Sequence, residues 1–289
     1  MIDYHVHLWR HARYPSLQAT VDQLAEYCAQ AASLGVTELA VTEHTSRFRQ
    51  VDALVGGWWD RDPNPALRAE MAAHWDEELG GDLDQYVSAA LAAKEAGLPV
   101  VVGLEVDYFP GQMDKLAALL AGYPFDVLLG SVHWLGAWLI NAYDLPQAKR
   151  EWASRSVEEV WDQYTRTVEE LAATKAVDVL AHPDLAKVAG YRPAAPAEFY
   201  HRIAEAARDC GLAAELNSSG WRRACAEAYP AVELLERFHD YGIPITTASD
   251  GHQLPHVSWR IGDVTAMARE AGYREISTFR ARSRIAQPL

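Results

Sequence analysis

Seven segments of the chain each begin as a short apolar run and stop at a polar side chain of metal-binding type. They are Asp3-Tyr4-His5-Val6-His7, Thr42-Glu43-His44, Gly103-Leu104-Glu105, Gly130-Ser131-Val132-His133, Leu180-Ala181-His182, Ala214-Glu215-Leu216-Asn217 and Ala248-Ser249-Asp250-Gly251-His252. Six of the eleven histidines fall in these segments. Side chains scattered over a whole sequence meet only at the rim of a barrel or sheet, so the pattern calls for strand ends converging on one polynuclear metal site.

Helical patterns separate the strand-like runs. Val21 to Leu34 has apolar residues at three- and four-residue spacing and ends at Gly35, and Tyr86 to Ala96 is closed by Gly97 and Pro99. The alternation continues: Ser156 to Thr174 precedes the run Val177 to Leu180, Pro196 to Cys210 precedes Leu212 to Leu216, and Tyr229 to Tyr241 precedes Ile243 to Thr247. Strand-helix alternation builds a parallel sheet, and strands without a polar face are buried on both sides. The count is seven strands, one short of the common eight-stranded barrel. At 289 residues and 49% hydrophobic content the chain suits a single α/β barrel domain spanning 1–289. The stretch at about 47–84 stands apart: it is polar, carries Gly56-Gly57, Trp58-Trp59 and Asp62-Pro63-Asn64-Pro65, and reads as an insertion over the strand ends.

Charge and cysteine usage narrow the partners. A net charge of −14 opposes binding to nucleic acid or an anionic membrane, both of which demand a basic face. Three cysteines at unrelated spacings suggest neither a disulfide framework nor a Cys-x-x-Cys metal site. The first metal-type segment follows Met1 almost at once, leaving no room for a signal peptide, and no apolar run has spanning length, so a reducing cytoplasm is the expected compartment.

Residues two apart on a strand point the same way, so His5 and His7 present two imidazoles to one ion, and Asp250 and His252 repeat that spacing at the last strand. Glu105 follows Val100-Val101-Val102, and a carboxylate at the end of a buried strand can bridge two cations. His44, His133 and His182 close three further strands, while His11 lies in the loop four residues after His7. His74, His201, His239 and His256 fall in helical or loop patterns and are read as structural.

Taken together, these motifs resemble the polymerase-and-histidinol-phosphatase (PHP) superfamily, and within it the histidinol-phosphate phosphatases of bacteria. Gly103-Leu104-Glu105-Val106-Asp107-Tyr108 and Gly130-Ser131-Val132-His133 are the most specific elements of that likeness. The resemblance implies a distorted (β/α)7 barrel of TIM-like form, a metal site at the C-terminal strand ends, and phosphomonoester hydrolysis. It implies one ion held by His5, His7, Glu105 and Asp250, a second by Glu105, His133 and His182, and a third by His11, His44 and His252. Three divalent ions with nitrogen and oxygen ligands suit zinc, iron or manganese. Such ions would lower the pKa of a water and neutralise phosphoryl charge, with Glu105, Asp250 and His252 closest to the chemistry.

The substrate is a small phosphate ester, histidinol phosphate by the family likeness, with another small ester or a nucleotide as the alternative. Its phosphate needs a guanidinium, and Arg222 aligns with a family arginine; Arg223 adjoins it, but consecutive residues seldom face the same way. Lys187, five residues after His182, is a further candidate anion ligand. The cationic leaving group calls for acidic or aromatic neighbours, and Glu43, Asp107, Trp9 and Trp134 sit beside ligands; each could equally stand behind a ligand and support it, and the two tryptophans could be core packing. Trp58 and Trp59 are expected to pack on the barrel rim, as a substrate-pocket wall, or on a second copy of the chain in a homo-oligomer. Two other classes compete: an amidohydrolase-type enzyme, which also opens with His-x-His on a barrel strand, and a non-catalytic metal-binding module of the kind attached to bacterial polymerases.

Overall fold

The structure, a computed structural model, describes residues 1–14 and 16–289. One sheet contains seven strands in chain order: β1 (Ile2–Val6), β2 (Glu38–Val41), β3 (Val100–Asp107), β4 (Val127–Ser131), β5 (Val179–Leu180), β6 (Ala213–Asn217) and β7 (Ile245–Ala248). Every adjacent pair is parallel. Helices lie between and around them: α1 (Val21–Ser33), α2 (Arg49–Val55), α3 (Pro65–Glu78), α4 (Leu83–Glu95), α5 (Met113–Leu120), α6 (Pro146–Ser154), α7 (Val157–Ala173), α8 (Ala197–Cys210), α9 (Val232–Asp240) and α10 (Ile261–Glu270). This is the distorted (β/α)7 barrel expected from the strand count.

Local chemistry accounts for the helix boundaries. Ser156 and Glu159 form a reciprocal capping box that starts α7. Asp82 accepts from the backbone of Asp84 and Gln85, so α4 begins three residues before the apolar pattern at Tyr86. Tyr229 is held in an antiparallel bridge to Asn217, which delays α9 to Val232.

The barrel closes between β7 and β1 without a continuous ladder. Two backbone bonds span the seam, from His7 N–H to the Gly251 carbonyl at 3.0 Å and from Asp250 N–H to the His5 carbonyl at 2.8 Å. The fully buried Asp3 carboxylate completes it, accepting from Ser249 N at 2.9 Å, Ser249 Oγ at 2.6 Å, Ser258 N at 2.9 Å and Ser258 Oγ at 3.0 Å. Four donors satisfy a group whose burial alone would be costly.

A bulge in β1 serves the site. Asp3 and Val6 pair with Leu39 and Val41, three residues of advance against two, and the extra residue changes which side chains face inward. Tyr4 can therefore join the interior apolar core while His5 and His7 both reach the upper rim. The floor is sealed by a C-terminal hairpin, β8 (Glu275–Arg280) and β9 (Ser283–Pro288), whose Ile276 and Phe279 pack with Ile2, Tyr4, Val101 and Leu129. That plug follows the last of the seven segments, and the strand-end pattern did not reveal it.

The insertion lies over the strand ends through an aromatic cluster. Trp58 lies 5.7 Å from Trp134 and 5.8 Å from Phe109, and Trp59 lies 5.2 Å from Trp75, ring centre to ring centre. Asp62 locks it to the short hairpin after His133 by accepting from Ala137 N at 2.8 Å. Gly136 permits that contact: its φ is +62°, and a Cβ there would stand 2.5 Å from the Asp62 carboxylate. Among the described residues, no helix is long and apolar enough to cross a membrane.

Candidate metal centre

The strand ends bring the ligand-type side chains into one buried cluster around Glu105. Glu105 Oε2 lies 2.7 Å from His44 Nδ1, 3.5 Å from His5 Nε2 and 3.6 Å from His7 Nε2. Its other oxygen, Oε1, lies 2.9 Å from His182 Nε2 and 3.5 Å from His133 Nε2. The two oxygens thus face different histidine sets. Asp250 Oδ1 sits 3.4 Å from His7 Nε2 and 3.2 Å from His252 Nε2, and the Nε2 atoms of His5 and His7 are 3.0 Å apart. Two of these ligand residues, His182 (φ +27°) and Asp250 (φ +50°), occupy the left-handed region, where a non-glycine residue is held only by its surroundings.

Carboxylates behind the ring nitrogens fix the histidines. Glu215 Oε1 binds His5 Nδ1 at 2.6 Å, Glu43 Oε1 binds His7 Nδ1 at 3.1 Å, and Asp107 Oδ1 binds His133 Nδ1 at 2.6 Å. Holding a proton on Nδ1 leaves Nε2 as a lone-pair donor. Glu215 was visible as part of a strand-end segment but not as a functional residue; its alignment behind His5 depends on the neighbouring strands. Arg47 is a second residue the sequence did not single out. Fully buried, it lies 3.2 Å from Glu43 and 2.7 Å from Glu78 of α3, tying the ring-orienting carboxylate to the insertion.

These residues fit a set of divalent ions. Four trios each bring ligand atoms within 4.8 Å of one another: His5, His7 and Asp250; His5, Glu105 and His182; His7, His44 and His252; and His44, Asp107 and His133. His44 Nε2 is buried without a hydrogen-bond partner, as expected of an atom built to bind something else. All the donors are nitrogen and oxygen, a set that suits zinc, iron or manganese. Burial pushes the Glu105 carboxyl up, but His44, His133 and His5 outweigh it and hold the group well below its usual range. Burial and the neighbouring His7 hold His44 and His252 well below the usual imidazole range. Burial also pulls His5 down, yet Glu215, Glu105 and Asp250 carry it well above.

His11 is looser. Its ring lies 4.4 Å from that of His252 and 5.2 Å from that of His44, but its side chain is 41% exposed and leans 3.5 Å from Glu78. It belongs to none of the four trios.

The residues expected to bind substrate occupy other places. Glu43 and Asp107 are fully buried behind His7 and His133, where they orient rings. The Lys187 ammonium is also fully buried, 2.7 Å from Asp184, from Glu227 and from the Ala228 carbonyl. Arg222 ends a short 3-10 turn (Ser219–Arg222) and folds back on β7, donating to the carbonyls of Ser249 at 2.9 Å and Asp250 at 3.0 Å while stacking over Trp259. Arg223 follows that turn with extended backbone and lines the cleft together with His44, His133, His182, Asp250 and His252. Two adjacent residues do face different ways here, with Arg223 toward the cluster. Trp9 is core, whereas Trp134 lines an adjoining cavity. His74, read as structural, lines the same cavity.

A model of the PHP domain matches residues 3–219. This chain belongs to the PHP family. A curated relative in Deinococcus radiodurans, named a probable histidinol-phosphatase, is 32% identical over 260 residues, 89% of this chain and 90% of the relative. A probable histidinol-phosphatase of Schizosaccharomyces pombe is 26% identical over 81% of this chain and 76% of its own length. Among solved structures, the histidinol phosphate phosphatase of Lactococcus lactis, complexed with zinc, L-histidinol and phosphate, has a TM-score of 0.70 at 19% identity. It covers 98% of both chains. A putative histidinol phosphatase of Listeria monocytogenes has a TM-score of 0.71 at 15% identity, over 91% of this chain and 99% of its own. In this PHP chain the domain match stops at Ser219, so the segment after β7 adds Asp250 and His252 from beyond it.

Proposed function

We propose that this PHP chain is a metal-dependent phosphomonoesterase that hydrolyses histidinol phosphate to histidinol and phosphate. The observation that carries the reaction class is Glu105, whose two carboxylate oxygens face separate histidine sets that include His44 and His182, residues lining a cleft together with Arg223. The substrate rests on the two relatives' names and on the histidinol and phosphate in the Lactococcus structure, which shares the fold.

By the family likeness, His5, His7, Glu105 and Asp250 would hold one divalent ion, Glu105, His133 and His182 a second, and His44 and His252, with His11 at the open side, a third; the trios His5–His7–Asp250, His5–Glu105–His182 and His7–His44–His252 support parts of these sets. Zinc, iron or manganese in these positions would lower the pKa of water and neutralise charge on the phosphoryl oxygens. The chain's own groups do the rest. Glu215, Glu43 and Asp107 keep the His5, His7 and His133 rings aimed with Nε2 toward the cleft. Arg223 supplies a planar cation for two phosphoryl oxygens at once. Leu185, Val188 and Tyr229 wall the cleft with apolar surface and limit access of bulk water.

The test combines elemental analysis of the purified protein with phosphate release from histidinol phosphate and from a panel of sugar phosphates, nucleotides and aryl phosphates. Histidinol phosphate is expected to have the highest kcat/KM. Arg223→Ala is expected to raise KM for every monoester by tenfold or more. A metal-loaded protein that releases no phosphate from any monoester would end this reading.

A further inference from the structure

Beside the metal cleft lies a cavity of about 290 Å³. His11, His44, His133, Asn141 and Arg223 line both spaces, so a molecule anchored by its phosphate in the cleft extends into this cavity. The far walls come from the insertion helix α3, with His74 and Glu77, and from the loop before α6, with Asp144. Trp134 and Leu139 complete one side. His74, Glu77, Trp134, Leu139 and Asp144 all lie outside the seven strand-end segments.

Charge is distributed unevenly along this space. The phosphate end has Arg223 and the metal ligands. Glu77 and Asp144, which line the cavity but not the metal cleft, are exposed carboxylates, while Glu78, also on the wall, is already engaged by Arg47 at 2.7 Å. Burial pushes His74 down to about 4, so its imidazole is neutral and cancels none of that negative charge. Two wall groups are also buried without partners: Asn141 Oδ1, an acceptor, and Trp134 Nε1, a donor. Buried polar atoms of this kind are costly unless a ligand satisfies them.

We propose that this cavity seats the leaving group, and that Glu77 and Asp144 select phosphate esters of cationic amino alcohols while Asn141 Oδ1 accepts a hydrogen bond from a leaving-group N–H. The assignment rests on the phosphomonoesterase reading and adds the specificity-determining residues, which belong to the insertion and the loop before α6. The pocket is therefore bipolar, matching a substrate that is anionic at one end and cationic at the other.

The decisive variant is Glu77→Gln with Asp144→Asn. The ratio of kcat/KM for histidinol phosphate to that for p-nitrophenyl phosphate, whose leaving group is not cationic, is expected to fall roughly five- to tenfold, the scale of two partly screened ion pairs. The loss should reside in KM and shrink at high salt. Asp76→Asn, on the same helix but paired with Arg13 and outside the cavity, controls for net charge and should leave the ratio where it was. Asn141→Leu should lower the ratio as well. Titration calorimetry with L-histidinol alone tests the cation pocket independently of hydrolysis and should show weaker binding to the double variant than to wild type. Loss of turnover on all esters by the wild type, with histidinol binding still dependent on Glu77 and Asp144, would overturn the phosphatase reading and uphold this one. A substrate ratio within twofold of wild type, or equal L-histidinol binding by the double variant and wild type, would overturn the cation pocket.

Discussion

Replacing Glu215 by glutamine is expected to weaken metal binding about 10- to 100-fold without unfolding the barrel. Glu215 is buried, and its two oxygens accept three hydrogen bonds: Oε1 from His5 Nδ1 at 2.6 Å, and Oε2 from His182 N at 2.6 Å and Asn217 Nδ2 at 3.0 Å. Glutamine has one acceptor oxygen. If that oxygen takes the Oε2 position, the new amide N–H faces His5 Nδ1 and favours the tautomer protonated at Nε2, which has no lone pair for an ion. If it takes the Oε1 position, the N–H₂ meets the His182 and Asn217 donors and leaves both buried and unpaired, at about 1–3 kcal/mol each. The second placement costs more than the roughly 1.4 kcal/mol that corresponds to a tenfold change in an equilibrium constant, so the first, which withdraws the His5 lone pair from the ion, is the one expected. The assay is competition for zinc between the apo-protein and a chromophoric chelator, with elemental analysis and far-UV circular dichroism alongside. A folded Glu215→Gln variant that binds zinc within twofold of wild type would refute the argument that this carboxylate sets the His5 tautomer.

Further outcomes follow from the same geometry. Glu105→Gln should lower phosphate release by more than about 100-fold and remove at least one equivalent of metal, because a neutral amide is a poor bridge between cations; near-normal turnover would remove Glu105 from its dual role. Replacing Trp58 and Trp59 together by alanine should cost at least about 3 kcal/mol in denaturant unfolding, since both rings pack in the aromatic cluster. It should also blur discrimination among leaving groups by loosening Trp134, with metal content unchanged; an unaltered substrate ranking with a changed oligomeric state would contradict this. His74, pushed down to about 4 by burial, lies below the roughly 6.5 of a free imidazole, so the unfolded chain takes up its proton first as pH falls. Stability is therefore lost between about pH 6.5 and 4, and His74→Gln should flatten that loss in urea unfolding at pH 7 and pH 5. Equal differences between variant and wild type at the two pH values would show that His74 is not held neutral.

The barrel and the ligand-type residues were legible in the sequence because both are local properties. A strand that ends in His, Glu, Asp or Asn announces its residue type at that position, and seven such endings separated by helical patterns require a parallel sheet with one busy rim. Glu43 and Asp107 were legible as groups that could stand behind ligands, but which ring each one meets was not, and Glu215 was not read in that role at all. Glu215 meets His5 across 210 residues, Asp107 meets His133 across 26, and the seam at Asp3 joins residues 246 and 255 positions away. Those partners are chosen by strand order, by the bulge in β1 and by barrel closure. Arg222 and Arg223 make the same point within one turn: the sequence offers two adjacent guanidiniums, and only the end of the 3-10 turn sends one to the carbonyls of Ser249 and Asp250 just after β7 and the other into the cleft. The insertion announced itself by composition, yet its tryptophans became the packing layer while His74 and Glu77 of α3 became the cavity wall. Residue type at a strand end is decided by the residue itself, whereas a hydrogen bond under 3 Å between distant side chains exists only after the sheet has closed.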